Sequence, residues 1–599
     1  MKSKVIWAGI ITLLVVFSPT SPRGDPSDGF LSENIDFEDI FSDLPDNFDI
    51  DTAEESDFLL LPFFNEKDAE KIISFRDIRK KAVSLHTTID NIPGLSSLQY
   101  AILHHLSRKD MRLIVPEVSG HIRSGYAHRP VKESLPDSKY YIKLNCDSER
   151  GLSIGFLGER DPFEPKALDL SSAGVSFTGD KDRIHAVIGD YRPGFGQGLV
   201  FSRYGRSYTY GADIIVHEKI NPANTFFEES RFLRGGFITI KREWLVTHLW
   251  HSVRKLDASV DNDKNVVGIR DTGYHLSGDN PGNLKERITA ARFAFFPTPE
   301  VDFAFSGVQS TYSPALTRPG GESYMHYPEG SQFRYVTVDG KIEKGYARLF
   351  FEYAYLDEGE TAAIGGVQLK RDRVRLGVLL RRYSEGYWAF RSGSFSAFGK
   401  TSNEEGVYSA IEADLTNNIR LVTSLDMTRT LFRTYSNSMP VSRKRIHVMI
   451  QSRLPGGLIG RISTRSTRDS GDRTGRWNMR MYLEKKRKRS VIADWRSSFA
   501  WSQGDGEGGP FADTSLTLLI HGCNALLSAG FFDIPVYGSR FYYYQRNVPG
   551  RGYTSPLWGR GGVFILFIRW REFSGRYLVK NSDLMKSTRE IGIQADISF

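Results

Sequence analysis

The chain ends Ile591-Gly592-Ile593-Gln594-Ala595-Asp596-Ile597-Ser598-Phe599, with an apolar residue at every odd position and Gly, Gln, Asp or Ser at every even one. Successive side chains of a strand point to opposite faces, so one face of this segment is apolar throughout and the other is polar. The same period recurs upstream. Val374, Leu376, Val378 and Leu380 share a face opposite Arg375, Gly377 and Arg381. Trp477, Met479, Met481 and Leu483 alternate with Asn478, Arg480, Tyr482 and Glu484, and Ile446, Val448 and Ile450 alternate with His447, Met449 and Gln451. Period-two patterning of this kind predicts β-structure from about Leu113 to Phe599.

Short turn signals punctuate the strands: Arg371-Asp372-Arg373, Asn417-Asn418, Pro455-Gly456-Gly457 and the charged run Lys485 to Arg489. Longer connections rich in Gly, Asp and Ser are expected at Asp257 to Asn283, Tyr312 to Gln332 and Gln503 to Asp513. Short turns alternating with long loops are the connection pattern of a transmembrane β-barrel, in which lipid-facing and lumen-facing residues alternate. Composition agrees. Aromatics make up 13 % of the 599 residues, there are 56 glycines, and mean hydropathy is −0.35. At about 20 to 25 residues per strand and connection, the β region accommodates on the order of 20 strands. No fixed-length repeat suggests a propeller or solenoid.

Four zones follow along the chain. Residues 1–24 read as a signal peptide: Lys2 and Lys4 precede an apolar run from Val5 to Phe17 that is too short to span a bilayer. Residues 25–57 carry 13 acidic residues and no Lys or Arg, which predicts a solvated, disordered linker. Residues 58–110 read as helical. Ala69, Ile72, Ile73 and Phe75 repeat at helical spacing, and Leu98, Ala101, Ile102 and Leu106 share a second helical face after Pro93-Gly94. Residues 111–599 are the barrel. The formal charge of +8 is uneven: the first 24 residues carry +3 and the linker −13, so the remainder carries 8 − 3 + 13 = +18.

Residues 58–107 resemble a tandem helix-hairpin-helix domain of bacterial competence DNA-binding proteins. The first hairpin is Leu60-Leu61-Pro62-Phe63-Phe64 and the second Ile92-Pro93-Gly94-Leu95-Ser96. In DNA-binding members each hairpin is Gly-apolar-Gly, which brings backbone amides to a phosphate at a helix N-terminus. Here the first hairpin has no glycine and the second keeps only Gly94. The resemblance implies backbone contacts to a phosphate or a protein partner at Pro62, Phe63, Phe64, Pro93, Gly94, Leu95 and Ser96, with Lys71, Arg76, Lys80 and Lys81 as basic DNA contacts. The loss of the glycines favours a plug or a protein-binding domain over nucleic acid. The C-terminal strand resembles the assembly signal of bacterial outer-membrane proteins, with Ile597 and the final Phe599 read by the barrel-assembly machinery. The whole layout resembles uncharacterised outer-membrane proteins of Bacteroidota type. Gly189-Asp190-Tyr191 with Phe195-Gly196-Gln197-Gly198-Leu199, and Phe541-Tyr542-Tyr543-Tyr544 with Val548-Pro549-Gly550, are the segments that carry this likeness.

No catalytic constellation is legible. There is no GxSxG elbow and no HExxH, and the neighbours His104 and His105 point to different faces of a helix. His521 and Cys523 read as a packing coincidence on a strand. Cys146 and Cys523 read as small packing residues. No metal and no cofactor is expected. Arg375, Arg381 and Arg480, with Arg382 and Arg569, are candidate lumen residues. They either favour anions or pair with carboxylates across strands. The expected function is an outer-membrane channel or transport component, in contact with the lipid bilayer and with a periplasmic protein partner. DNA uptake and a non-conducting scaffold are the alternatives.

Overall fold

The computed structural model describes residues 58, 69–70, 72–73 and 103. From 118 to 599 it describes all but 129–137, 149–150, 163–167, 169, 180–182, 203–209, 217–218, 221–229, 271–280, 435–436, 472–474, 486–492, 521–522, 546 and 549–552. Phe58, Ala69, Glu70, Ile72, Ile73 and Leu103 are helical, and of these Phe58, Ala69, Ile72 and Leu103 are fully buried. The signal, the acidic linker and both hairpins lie outside the described residues.

Among the described residues there are thirty strands, numbered in chain order from β1 (Val118–His128) to β30 (Thr588–Ser598). Twenty-four of them form one closed antiparallel barrel. The circuit is sealed by β30 against β1, in a register that pairs Ile597 with Ile122, Ala595 with Ser124 and Ile591 with His128. Closure leaves no unpaired edge, which is what a strand protein needs in hydrocarbon. The barrel exceeds the expected 20 strands because one rim is closed by very short turns. Residues 118–599 divided among 24 strands give about 20 residues each, the lower end of the assumed spacing.

The outer wall carries a band of apolar side chains. Ile188, Val336, Leu380, Phe531 and Ile593 are all more than half exposed there, whereas the neighbours of Leu380 on the other face, Leu379 and Arg381, are buried. At the rim of short turns the outer surface is aromatic. Trp244, Phe296, Tyr346, Trp495, Trp570, Phe573 and Phe599 are all exposed, and Trp244 and Phe303 each stack on Phe295. Aromatic rings suit the boundary between hydrocarbon and water, and such girdles flank the apolar band of membrane barrels.

One expected loop is corrected, and another carries structure of its own. Gln503 to Asp513 is not a connection. It is the end of one strand and the start of the next, joined at Asp505-Gly506, where Asp505 adopts φ 54°. Thr514, Leu516 and Leu518 continue the same alternation, and the Gly and Asp content masked it. Asp257 to Asn283 holds two short paired strands, Ala258–Val260 and Val266–Ile269, which extend the sheet beyond the barrel wall.

Candidate functional site: a lumen filled by its own connections

Three connections of the long-loop rim turn inward. The first leaves β5 (Ile184–Tyr191) and returns at β8 (Leu233–Lys241), forming on its way the small pair β6 (Pro193–Gly194) and β7 (Lys219–Ile220). The second joins β17 (Val374–Tyr383) to β18 (Glu404–Thr416). The third contains the hairpin of β26 (Phe541–Gln545) and β27 (Tyr553–Leu557). Their apolar residues are buried. Phe195, Leu199, Val200, Phe201, Tyr387 and Phe395 join inner-wall residues such as Trp250, Tyr335 and Tyr408 in one cluster. Phe541, Tyr543 and Leu557 join Phe511, Phe532 and Val563 in another.

A folded loop in a barrel carries backbone amides that strand pairing does not satisfy, and each needs a partner when buried. The wall supplies them from acidic side chains. Glu352 Oε2 accepts from the amides of Gln197 at 2.5 Å and Leu199 at 3.2 Å. Gly196 sits at φ 56°, and a Cβ there would lie 2.8 Å from the same carboxyl group. Glycine is therefore required twice over, by the left-handed backbone and by the closeness of the carboxylate. Glu404 accepts from the amides of Ala397 at 2.9 Å and Phe398 at 3.0 Å, and from Ser396 Oγ at 2.6 Å. Glu412 accepts from the Ala212 amide at 3.0 Å.

The first two connections also hold each other. Ser202 N donates to Arg391 O at 2.9 Å, Gly393 N to Gly198 O at 3.0 Å, and the Tyr387 hydroxyl to Leu199 O at 3.1 Å. Arg391 is buried, and its two terminal nitrogens grip the Glu286 carboxylate at 2.6 Å each; Tyr312 donates to the same group at 2.9 Å. Burial opposes the charge on Arg391, but the Glu286 carboxylate outweighs it and holds the guanidinium above its ordinary pKa. Burial pushes the Tyr387 phenol well above the ordinary tyrosine range.

The candidate lumen arginines fall in different settings. Arg381 is buried, donating to Glu404 at 2.5 Å and to Asp426 at 2.9 Å. Arg480 faces the lumen, with its guanidinium carbon 4.5 Å from the centroid of the Phe541 ring. Arg375 is half-buried on the same face of β17 as Arg381. Arg382 points outward and pairs with Glu405, and Arg569 lies 3.9 Å from Asp596. Ile597 is exposed on the outer wall, and Phe599 exchanges backbone bonds of 2.8 and 2.9 Å with Gly120, extending the seam by one residue. Pro62, Phe63, Phe64, Lys71, Arg76, Lys80, Lys81, Pro93, Gly94, Leu95 and Ser96 lie outside the described residues, as do His104, His105 and His521. Cys146 and Cys523 are half-buried and form no disulfide. Among the described residues no group of three His, Cys, Asp or Glu side chains is placed to hold a metal.

Sequence reading singled out Gly189 to Leu199 and Phe541 to Tyr544 but not why they matter: both enter the lumen. It missed the acidic side of the arrangement. Glu286 stands between Leu284 and Ile288, and Glu352 between Phe350 and Ala354, each on a largely apolar buried face, but the strand alone does not tell which face is the inner one.

No family model and no curated protein matches the chain. Several solved structures are similar to it. The siderophore receptor PirA from Acinetobacter baumannii is similar over 82 % of this chain and 81 % of its own, at 9 % identity and a TM-score of 0.39. The ferric citrate transporter FecA is similar over 81 % and 79 %, at 9 % identity and a TM-score of 0.37. Wzi of Escherichia coli, an outer-membrane carbohydrate-binding barrel, is similar over 64 % and 87 %, at 12 % identity and a TM-score of 0.32. The class defined by closure, outer apolar band and aromatic rim is a large membrane-spanning β-barrel of the outer-membrane type.

Proposed function

We propose that the protein is an outer-membrane transport component whose lumen is gated by its own inward-folded connections. The observation that carries this reading is the clamp of Glu286, Glu352 and Glu404 on those connections. A barrel serving only as a scaffold needs no acidic wall groups aimed at loop amides, because apolar packing would fill it at lower cost. Transporters named among the structural neighbours accord with this reading. Residues 1–24 direct export, and the short-turn rim, where β1 begins beside Phe599, faces the periplasm. There, residues 58–110 act as a plug or bind a periplasmic partner, and the barrel-assembly machinery reads Ile597 and Phe599.

The test is efflux of a small neutral dye from liposomes holding the full chain. Wild type should leak slowly. Arg391→Ala, which leaves the Glu286 carboxylate without its guanidinium and releases the second connection, should leak at least tenfold faster. Heat-modifiable migration on gels establishes that the variant barrel is closed. A closed Arg391→Ala barrel as tight as wild type overturns gating and favours a non-conducting scaffold.

A further inference from the structure

The inner face of three adjacent strands, β21 (Leu458–Asp469), β22 (Arg476–Lys485) and β23 (Ala493–Gly504), carries an excess of positive charge. Register places Arg461 beside Tyr482, Arg465 beside Asn478, and Glu484 beside Arg496, all on the face opposite the exposed Ile462 and Phe499. Five arginines (Arg461, Arg465, Arg476, Arg480 and Arg496) share this face with three carboxylates, Asp469, Glu484 and Asp494. Of these, Asp469 is held bidentately by Arg443 from the neighbouring strand at 2.6 and 2.5 Å. Asp513, on the next strand, faces the patch opposite Ser498 and is hydrogen-bonded to it.

Aromatic rings hold the faces of the guanidinium groups, while Arg461 also donates to Gln451 Oε1 and Arg480 to Tyr542 O, neither of which carries a charge. Arg461 and Arg496 both place their guanidinium carbon 4.8 Å from the centroid of Tyr482. Arg465 lies 4.1 Å from the centroid of Tyr210, and Arg480 lies 4.5 Å from that of Phe541. A ring orients the flat face of a guanidinium without neutralising it. The nitrogens that grip carboxylate or phosphate lie on the edge of the plane, and two such edges can hold one multivalent anion. Arg461, Arg465, Arg480 and Arg496 are all half-buried, where like charges repel more strongly than in bulk water. An anion in the lumen relieves that repulsion.

We infer that Arg461, Arg465, Arg480 and Arg496, set by Tyr482, Tyr210 and Phe541, form a lumen site for a small anion bearing at least two carboxylate or phosphate groups. The site rests on the transport reading for its purpose, as the place where cargo pauses on the wall. Its arginines lie on strands other than those that clamp the first two connections, so arginine variants leave the clamps intact, although Tyr210 and Phe541 come from the connections themselves.

The test is calorimetric titration of the full chain in detergent with inorganic pyrophosphate, with raffinose as the neutral control. Pyrophosphate should bind, raffinose should not, and binding should weaken as salt is raised. The variant Arg461→Gln/Arg480→Gln/Arg496→Gln should lose at least tenfold in affinity. The double variant Arg382→Gln/Arg429→Gln removes two arginines from the outer face and should lose less than twofold. Heat-modifiable migration confirms closure in each case. Equal binding by the triple variant and wild type overturns the site, as does absence of pyrophosphate binding to wild type. Pyrophosphate binding without dye efflux from any variant removes the transport reading and keeps the site; efflux without binding does the reverse.

Discussion

Glu352 is one carboxylate serving two backbone amides of a loop more than 150 positions away, Gln197 and Leu199. Its loss leaves two buried donors without an acceptor, at about 1–3 kcal/mol each. Glu352→Ala is therefore expected to lower the thermal midpoint and to expose residues 192–202 to limited proteolysis; a loop equally protected in variant and wild type would contradict the clamp. Gly196→Ala strains a left-handed residue and crowds the same carboxylate, so it should open the same loop, with a cost of about 1 kcal/mol from the backbone alone. At Tyr387 the sign of a pH effect follows from the raised pKa. The buried phenol keeps its proton while a released one ionises from about pH 10. The contribution of Tyr387 to holding the connection is thus complete below that pH and lost as pH rises above it. Dye efflux should accelerate in alkali, and Tyr387→Phe, which cannot ionise, should blunt the rise.

At the scale of elements, the seam between β30 and β1 decides whether the barrel closes. On the inner side Asp596 pairs with Arg123 at 2.7 Å and with His121, and Gln594 accepts from Tyr141. At the end of the seam the Phe599 ring covers Gly120, and a Cβ on Gly120 would fall 2.2 Å from that ring. Gly120→Val is expected to displace the terminal aromatic and to lower the yield of heat-modifiable barrel several-fold, as removal of Phe599 should. Equal yields would show that the terminal ring has no part in closure. The inner ion pairs stiffen the seam but are worth little where water reaches them.

For the whole molecule, the placement of aromatic residues sets its position in a bilayer. Trp244, Trp495 and Trp570 lie at one rim and are exposed on the outer wall. Lipids brominated near the headgroup should quench their fluorescence more than lipids brominated at the chain ends, and Trp244→Phe/Trp570→Phe should reduce that difference. Stronger quenching from the bilayer centre would refute the rim assignment. The short-turn rim is the one at which β1 begins and β30 ends, so the start of β1 and the C-terminus lie on that side.

Alternation alone made the strands legible. A period of two with apolar residues on one face, as in Val374 to Leu380 or Ile591 to Phe599, leaves no other element that fits, and the final Phe599 and the tight turns follow from local chemistry. The sequence also marked Phe195-Gly196-Gln197-Gly198 and Phe541 to Tyr544 as unusual, without indicating where they go. Strand number, closure and the inward path of the connections were decided by tertiary structure. An acidic residue such as Glu352, alone between Phe350 and Ala354 on its face, has no evident partner until a loop returns to meet it, and Arg461, Tyr482 and Arg496 become neighbours only through register. Local periodicity determines which face a side chain takes; only the closed barrel determines what it faces.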